Sequence, residues 1–187
     1  MPAISAGQQY GAITKLLHWL TVLLLIGQFV LGYGMESFAE SLFEEDSSGH
    51  GSGGDRVRAG DDQLVFAHAW LGGAILAVTV IRLLWRWATP LPEWSERLSK
   101  ADRLVEAWTE KILYVTLFVI PISGIGLLYF SGEERELEDR REWLPPYEVV
   151  SDDLMLGLHI AGHLTFYVAL LVHVALAIRR RTLSRIL

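Results

Sequence analysis

Four apolar runs, each about as long as a membrane is thick, constrain this chain more than any other feature. The hydrocarbon core of a bilayer is about 30 Å deep, and a helix needs ~20 apolar residues to cross it. Residues 13–34, 64–85, 108–129 and 154–178 meet that length. Hydrocarbon offers no water to backbone amides, so each run is expected to be helical. The simplest architecture is all-α, a single domain over residues 1–187 forming an integral membrane antiparallel four-helix bundle. With 51% hydrophobic residues and a mean hydropathy of +0.31, the chain is too apolar for an ordinary soluble domain. The first run is long for a signal-peptide core, only Lys15 charges the segment before it, and it carries His18. It reads as a retained span.

Loop charge sets the expected orientation. Residues 35–63 hold eight acidic side chains against Arg56 and Arg58, and residues 130–153 hold nine against Arg135, Arg140 and Arg141. By contrast, residues 86–107 carry Arg86, Arg97, Lys100 and Arg103, and the tail carries Arg179, Arg180, Arg181 and Arg185. Both termini are therefore expected in the cytoplasm, with the net charge of −6 concentrated on the outer face. Nothing in that balance favours nucleic acid. His50, in a Ser/Gly-rich stretch of the first outer loop, reads as a solvated loop histidine. Pro121 falls inside the third run, where a bundle can tolerate it.

Cysteine is absent. Disulfides, iron–sulfur clusters and thioether-linked haem are thereby excluded.

Five histidines lie within the apolar runs, and an imidazole in hydrocarbon is a functional hypothesis by default. His159 and His173 are fourteen residues apart, a rise of roughly 21 Å with a turn about 40° short of four revolutions. They point from one helix face at two depths. His68 and His159 each lie six residues inside an acidic outer boundary, at Asp62 and Asp153. His173 is six residues inside Arg179, and His18 is three past Lys15. Depth thus pairs His68 with His159 near the outer face and His18 with His173 near the inner face. Two neutral imidazoles are suitable axial ligands for a porphyrin iron, giving a centre with no vacant position that passes electrons. Two b-type haems, one above the other, are the expected cofactors. Gly72, one turn after His68, would let a flat macrocycle approach, as would Gly73, Gly27, Gly124 and Gly126; ordinary small-residue helix packing explains each equally well. Lys15, Arg82 and Arg86 are candidates to meet anionic propionates, or else to snorkel to the interface. His163, one turn deeper than His159, is expected to pack or hydrogen-bond across the bundle. The tryptophans and Tyr129 and Tyr147 form an interfacial belt.

At this point the residues resemble the bacterial cytochrome b561 family of four-helix, two-haem membrane cytochromes. The matching features are Tyr10 before His18-Trp19; His68 followed by Gly72; Arg82-Leu83-Leu84-Trp85-Arg86 leading to Pro90 and Pro92; Leu113-Tyr114 before Pro121-Ile122-Ser123-Gly124; and the His159/His173 spacing. The resemblance implies haem b held by those four histidines and electron exchange with a membrane quinone, ubiquinone or menaquinone, in a bacterial inner membrane. One departure is Glu110, followed by Lys111, where many relatives carry a histidine one turn before the tyrosine of the third helix. Some members of this family are similar to superoxide oxidases. A strongly acidic outer face repels an anionic donor and favours a cationic soluble partner. Two rival expectations stand beside a quinone-linked electron-transfer cytochrome. One is a cytochrome b anchor subunit of a hydrogenase or dehydrogenase, which would co-purify with a metalloenzyme. The other is a haem-free proton or metal transporter, which would be colourless.

Overall fold

The computed structural model describes residues 9–45, 54–90, 94, 98–129 and 150–187, with side chains at 33–45, 54–62, 129 and 152 left aside. His50, Pro92, Pro145, Pro146, Tyr129's side chain and most of the acidic loop side chains lie outside that description. Four long helices account for nearly all of what is described: α1 Ala12–Glu45, α2 Gly54–Ala88, α3 Lys100–Tyr129 and α4 Asp152–Arg179. Each contains a stretch long and apolar enough to cross a membrane: Ala12–Gly32, Gln63–Ala88, Lys100–Leu128 and Asp153–Arg179. Among the described residues there is no strand. The chain is a multi-pass, four-helix membrane bundle.

Contacts between helix ends fix the antiparallel order. Trp85 near the end of α2 donates its indole N–H to Thr14 Oγ1 at the start of α1 (3.2 Å). Arg86 pairs with Glu110 near the start of α3. Asp102, in the first turn of α3, meets Arg180 just past α4 at 2.6 Å. The starts of α1 and α3 and the ends of α2 and α4 therefore share one level, called terminal here because the C-terminal residues fold against it; the opposite level is distal.

The third helix begins at Lys100, well before the expected Trp108. The reason is a capping box at Ser99-x-x-Asp102: the Asp102 amide donates to Ser99 Oγ (3.1 Å) and the Ser99 amide donates to Asp102 Oδ2 (3.0 Å). Two amides that would otherwise be orphaned are satisfied reciprocally. Pro121 sits inside the same helix, where its missing N–H forfeits one bond of the backbone ladder.

Helix packing is uneven. The closest associations are α3 with α4 and α1 with α2, and α2 joins the two pairs through α3. Glycines allow this: a Cβ on Gly27 would come within 3.1 Å of Leu71, one on Gly162 within 2.8 Å of Ile120, and one on Gly126 within 2.6 Å of Met155. At mid-depth Ile75, Leu117 and Phe166 are buried, with Leu24, Leu25, Phe29, Leu113, Ile120 and Leu170 around them. Phe29 reaches from α1 to Phe166 (6.3 Å between ring centres) and Tyr167 (5.6 Å) on α4. Leucine, valine and isoleucine side chains on the outer surface are widely exposed, as expected of a lipid-facing belt.

Beyond α4 the chain turns back. Arg181 adopts a positive φ of 54°, and a short 3-10 turn, Leu183–Arg185, follows. The Tyr10 amide donates to the Arg185 carbonyl (3.2 Å) and the Trp19 indole to the Ile186 carbonyl (3.1 Å). The end of the chain is thus tied to the start of α1.

Candidate functional site

The apolar layer of Ile75, Leu117 and Phe166 separates two groups of polar side chains. Phe166 lies midway along α4 between His159 and His173, and Ile75 lies midway along α2 between His68 and Arg82. Five histidines occupy the two levels, His68, His159 and His163 on the distal side and His18 and His173 on the terminal side.

At the distal level the best-held ring is His159. Its Nδ1–H donates to the Ile120 carbonyl at 3.0 Å, with Ser123 Oγ at 3.1 Å. Ser123 is buried, and its own hydroxyl donates to the same carbonyl (2.9 Å), so its oxygen is left to accept. A carbonyl only accepts, so the proton is assigned to Nδ1 and the Nε2 lone pair is free of it. That is the tautomer a metal-ligating imidazole shows when its other nitrogen is anchored to a carbonyl. Gly124 makes room for the ring: a Cβ there would lie 3.2 Å from His159 Cε1 and 3.5 Å from its Nδ1. His163 Nε2 lies 3.3 Å from His159 Nε2, and the rings meet edge-on at 4.8 Å between centres. With the His159 proton on Nδ1, His163 is the donor of that contact. Its ring also stacks, tilted, near Tyr167 at 5.9 Å.

From α2, His68 comes close enough to His159 and His163 to interact electrostatically with both. Its Nε2 takes a hydrogen bond from the Gln28 amide of α1 at 2.9 Å, which leaves its Nδ1 buried without a partner. Gly72 faces this amide, since a Cβ there would lie 3.6 Å from Gln28 Nε2.

The terminal level is strongly charged. His18 and His173 sense each other electrostatically across the bundle. Arg82 donates to His18 Nδ1 at 3.2 Å and lies over the Tyr114 ring, 5.6 Å from its centre. This hydrogen bond puts the His18 proton on Nε2, opposite to the arrangement at His159. His173 Nδ1 lies 3.0 Å from Glu106 Oε1. The approach is close enough for an ion pair but lacks hydrogen-bond alignment, and the nitrogen has no other partner. Arg86 is engaged by Glu110. Lys15 donates to Gln9 Oε1 at 3.4 Å. Beside the level, outside the span, burial raises the Tyr10 phenol above its usual value, and the Glu110 charge adds to that shift.

The depth count from the sequence anticipated which histidines share a level. It missed Gln28, Glu106 and Ser123. An amide inside an apolar run is the signal for Gln28. Glu106 was assigned to a loop because the third helix was started too late, and the Ser99-x-x-Asp102 box was the available clue. Ser123 gave none beyond its place in a Pro-Ile-Ser-Gly stretch.

Residues 9–187 match the family described as prokaryotic cytochrome b561. Cytochrome b561 homolog 2 of Escherichia coli (strain K12) is 29% identical over 128 residues, covering 67% of this chain and 58% of the relative. The chain therefore spans little more than half the length of that curated relative.

Proposed function

The chain belongs to the prokaryotic cytochrome b561 family, and from that premise we propose a transmembrane electron-transfer protein with two b-type haems. It exchanges single electrons between a partner on the distal face and membrane quinone. The observation that carries the reading is the sorting of half-buried imidazoles into two levels with an apolar layer between them.

The chemistry that haem b supplies when bound is reversible one-electron storage at its iron. The donor set fits it. Among the described residues no three His, Asp or Glu side chains converge as a metal cage, so a group that brings its own equatorial ligands suits these imidazoles. His68 and His159 would hold the distal iron, and His18 and His173 the terminal one. His159 is oriented by Ile120 and Ser123, and its Nε2 lone pair, which accepts from His163 Nε2–H, would have to leave that contact to ligate. To ligate through Nε2, His68 would give up the Gln28 hydrogen bond, with the Gln28 amide remaining beside it as a polar neighbour. His18 would have to carry its proton on Nδ1 instead of Nε2, which would release Arg82. Arg82 would then be free to meet a propionate, whereas Arg86 is paired with Glu110 and Lys15 with Gln9. His163 would give up its bond to His159 Nε2 on ligation, remaining beside that ring as a polar neighbour, and is not counted as a ligand. Ile75, Leu117 and Phe166 keep water from linking the two levels.

Loop charge supports a cytoplasmic terminal face in a bacterial inner membrane, and an acidic outer face supports a cationic donor over superoxide. The test is a reduced-minus-oxidised spectrum with haem quantitation on purified chain. Two haems per chain are expected. A colourless protein, or one holding a single haem, overturns the proposal.

A further inference from the structure

The two levels anchor their α4 histidines differently, and this difference has electronic consequences. At the distal level the group facing His159 Nδ1 is a neutral carbonyl, Ile120, helped by the Ser123 hydroxyl. At the terminal level the group facing His173 Nδ1 is a carboxylate oxygen of Glu106, 3.0 Å away, and both side chains are about three-quarters buried (28% and 22% exposed). Glu106 and Ile120 belong to the same helix, and His173 and His159 to another, so one pair of packed helices presents two kinds of acceptor to two rings.

A carboxylate hydrogen-bonded to the distant nitrogen of a ligating imidazole fixes its tautomer and makes it a more basic ligand. A more basic ligand favours the more positive metal. We propose that Glu106 is the positioning residue of His173: its carboxylate accepts the Nδ1–H when His173 ligates through Nε2, and it biases the terminal haem toward its oxidised state. The inference rests on the two-haem reading above. Other charged groups at this level include Arg82 at His18, the Arg86–Glu110 pair, Asp102 with Arg180, Lys15 at Gln9 and Arg185 over the Tyr10 ring. Among the described residues, the charged group found at a ring nitrogen of His173 is Glu106. Its effect is therefore local to one of two centres and separable from the general field.

The experiment is potentiometric titration of the purified, haem-loaded chain at pH 7, following the α-band with dithionite as reductant, for wild type, Glu106→Gln, Glu106→Asp and Glu110→Gln. In Glu106→Gln the neutral amide still offers an oxygen, so both haems are retained. One of the two midpoints rises by about tenfold in its reduction equilibrium, which is 59 mV for one electron. The other midpoint stays in place. Glu106→Asp, which keeps the charge, shifts that midpoint less, and it is read alone should Glu106→Gln fail to accumulate: its one raised midpoint supports the assignment and two unmoved midpoints refute it. Glu110→Gln does not reproduce the selective rise, because its carboxylate faces Arg86. Two unmoved midpoints in Glu106→Gln overturn the inference, as does an equal rise of both or an equal effect of Glu110→Gln. A wild-type chain without two haems overturns the underlying reading instead, so the two failures are distinct.

Discussion

Gly124 offers a sharp test of how the distal ring is held. Replacing it by alanine puts a Cβ 3.2 Å from His159 Cε1 and 3.5 Å from Nδ1. Both separations are inside or at the edge of ordinary carbon contact, and the ring is wedged between α3 and α4, so it has to yield by a few tenths of an ångström. The Nδ1–H···O=C bond to Ile120 starts at 3.0 Å, and such a shift takes it toward the long limit for an N–H···O bond. A hydrogen bond is worth about 0.5–1.5 kcal/mol net, and 1.4 kcal/mol is tenfold in affinity. Gly124→Ala should therefore weaken haem binding at one level by about three- to tenfold, and Gly124→Val by more. The assay is haem titration of the purified, haem-depleted chain, resolving two binding steps by absorbance. Gly157→Ala is the control, because Gly157 is exposed and a Cβ there meets nothing within 4 Å. Unchanged binding in both Gly124 variants, or equal loss at both steps, refutes the reasoning.

Other outcomes follow from the same geometry. His159→Ala should lose one haem per chain while His163→Ala keeps both; haem quantitation decides, and the reverse result exchanges their roles. Ser99→Ala removes the capping box of α3 and should cost about 1 kcal/mol of stability, read as a lower thermal midpoint in detergent with haem content unchanged. Arg82→Leu frees His18 Nδ1 and removes the cation nearest that ring, so one haem should bind less tightly, the other being unaffected. Burial keeps the Tyr10 phenol protonated beyond its usual range. A raised folded-state value means its contribution to stability is whole below the unfolded pKa of about 10 and is lost as pH climbs through the folded value; the difference between wild type and Tyr10→Phe in alkaline unfolding measures it.

Much of the vertical order was legible because a helix converts residue count into depth at a fixed rise. Counting from Asp62, Asp153, Lys15 and Arg179 was enough to expect His68 beside His159 and His18 beside His173. Azimuth was not legible in the same way. Gly72 lies beside the Gln28 amide, a neighbour fixed by the packing of α2 on α1 through Gly27 and Leu71. Arg86 was grouped with Arg82 on spacing alone. Its partner, Glu110, comes from α3, and only the assembled bundle brings them together. Polar side chains that serve a neighbouring helix rather than their own, such as Ser123 and Glu106, leave little periodic trace in a run that is apolar on every side.

The fourteen-residue step between His159 and His173 also has an electrical meaning. About 21 Å of helix rise is some two-thirds of a hydrocarbon core ~30 Å deep. With a haem at each storey, as proposed, an electron hopping between them would cross most of the membrane voltage, and 100 mV would do about 1.6 kcal/mol of work on it, from roughly 2.3 kcal/mol for a full crossing. The direction in which such a protein runs is then coupled to the charge state of the cell: a polarised membrane brakes inward electron flow and drives the reverse.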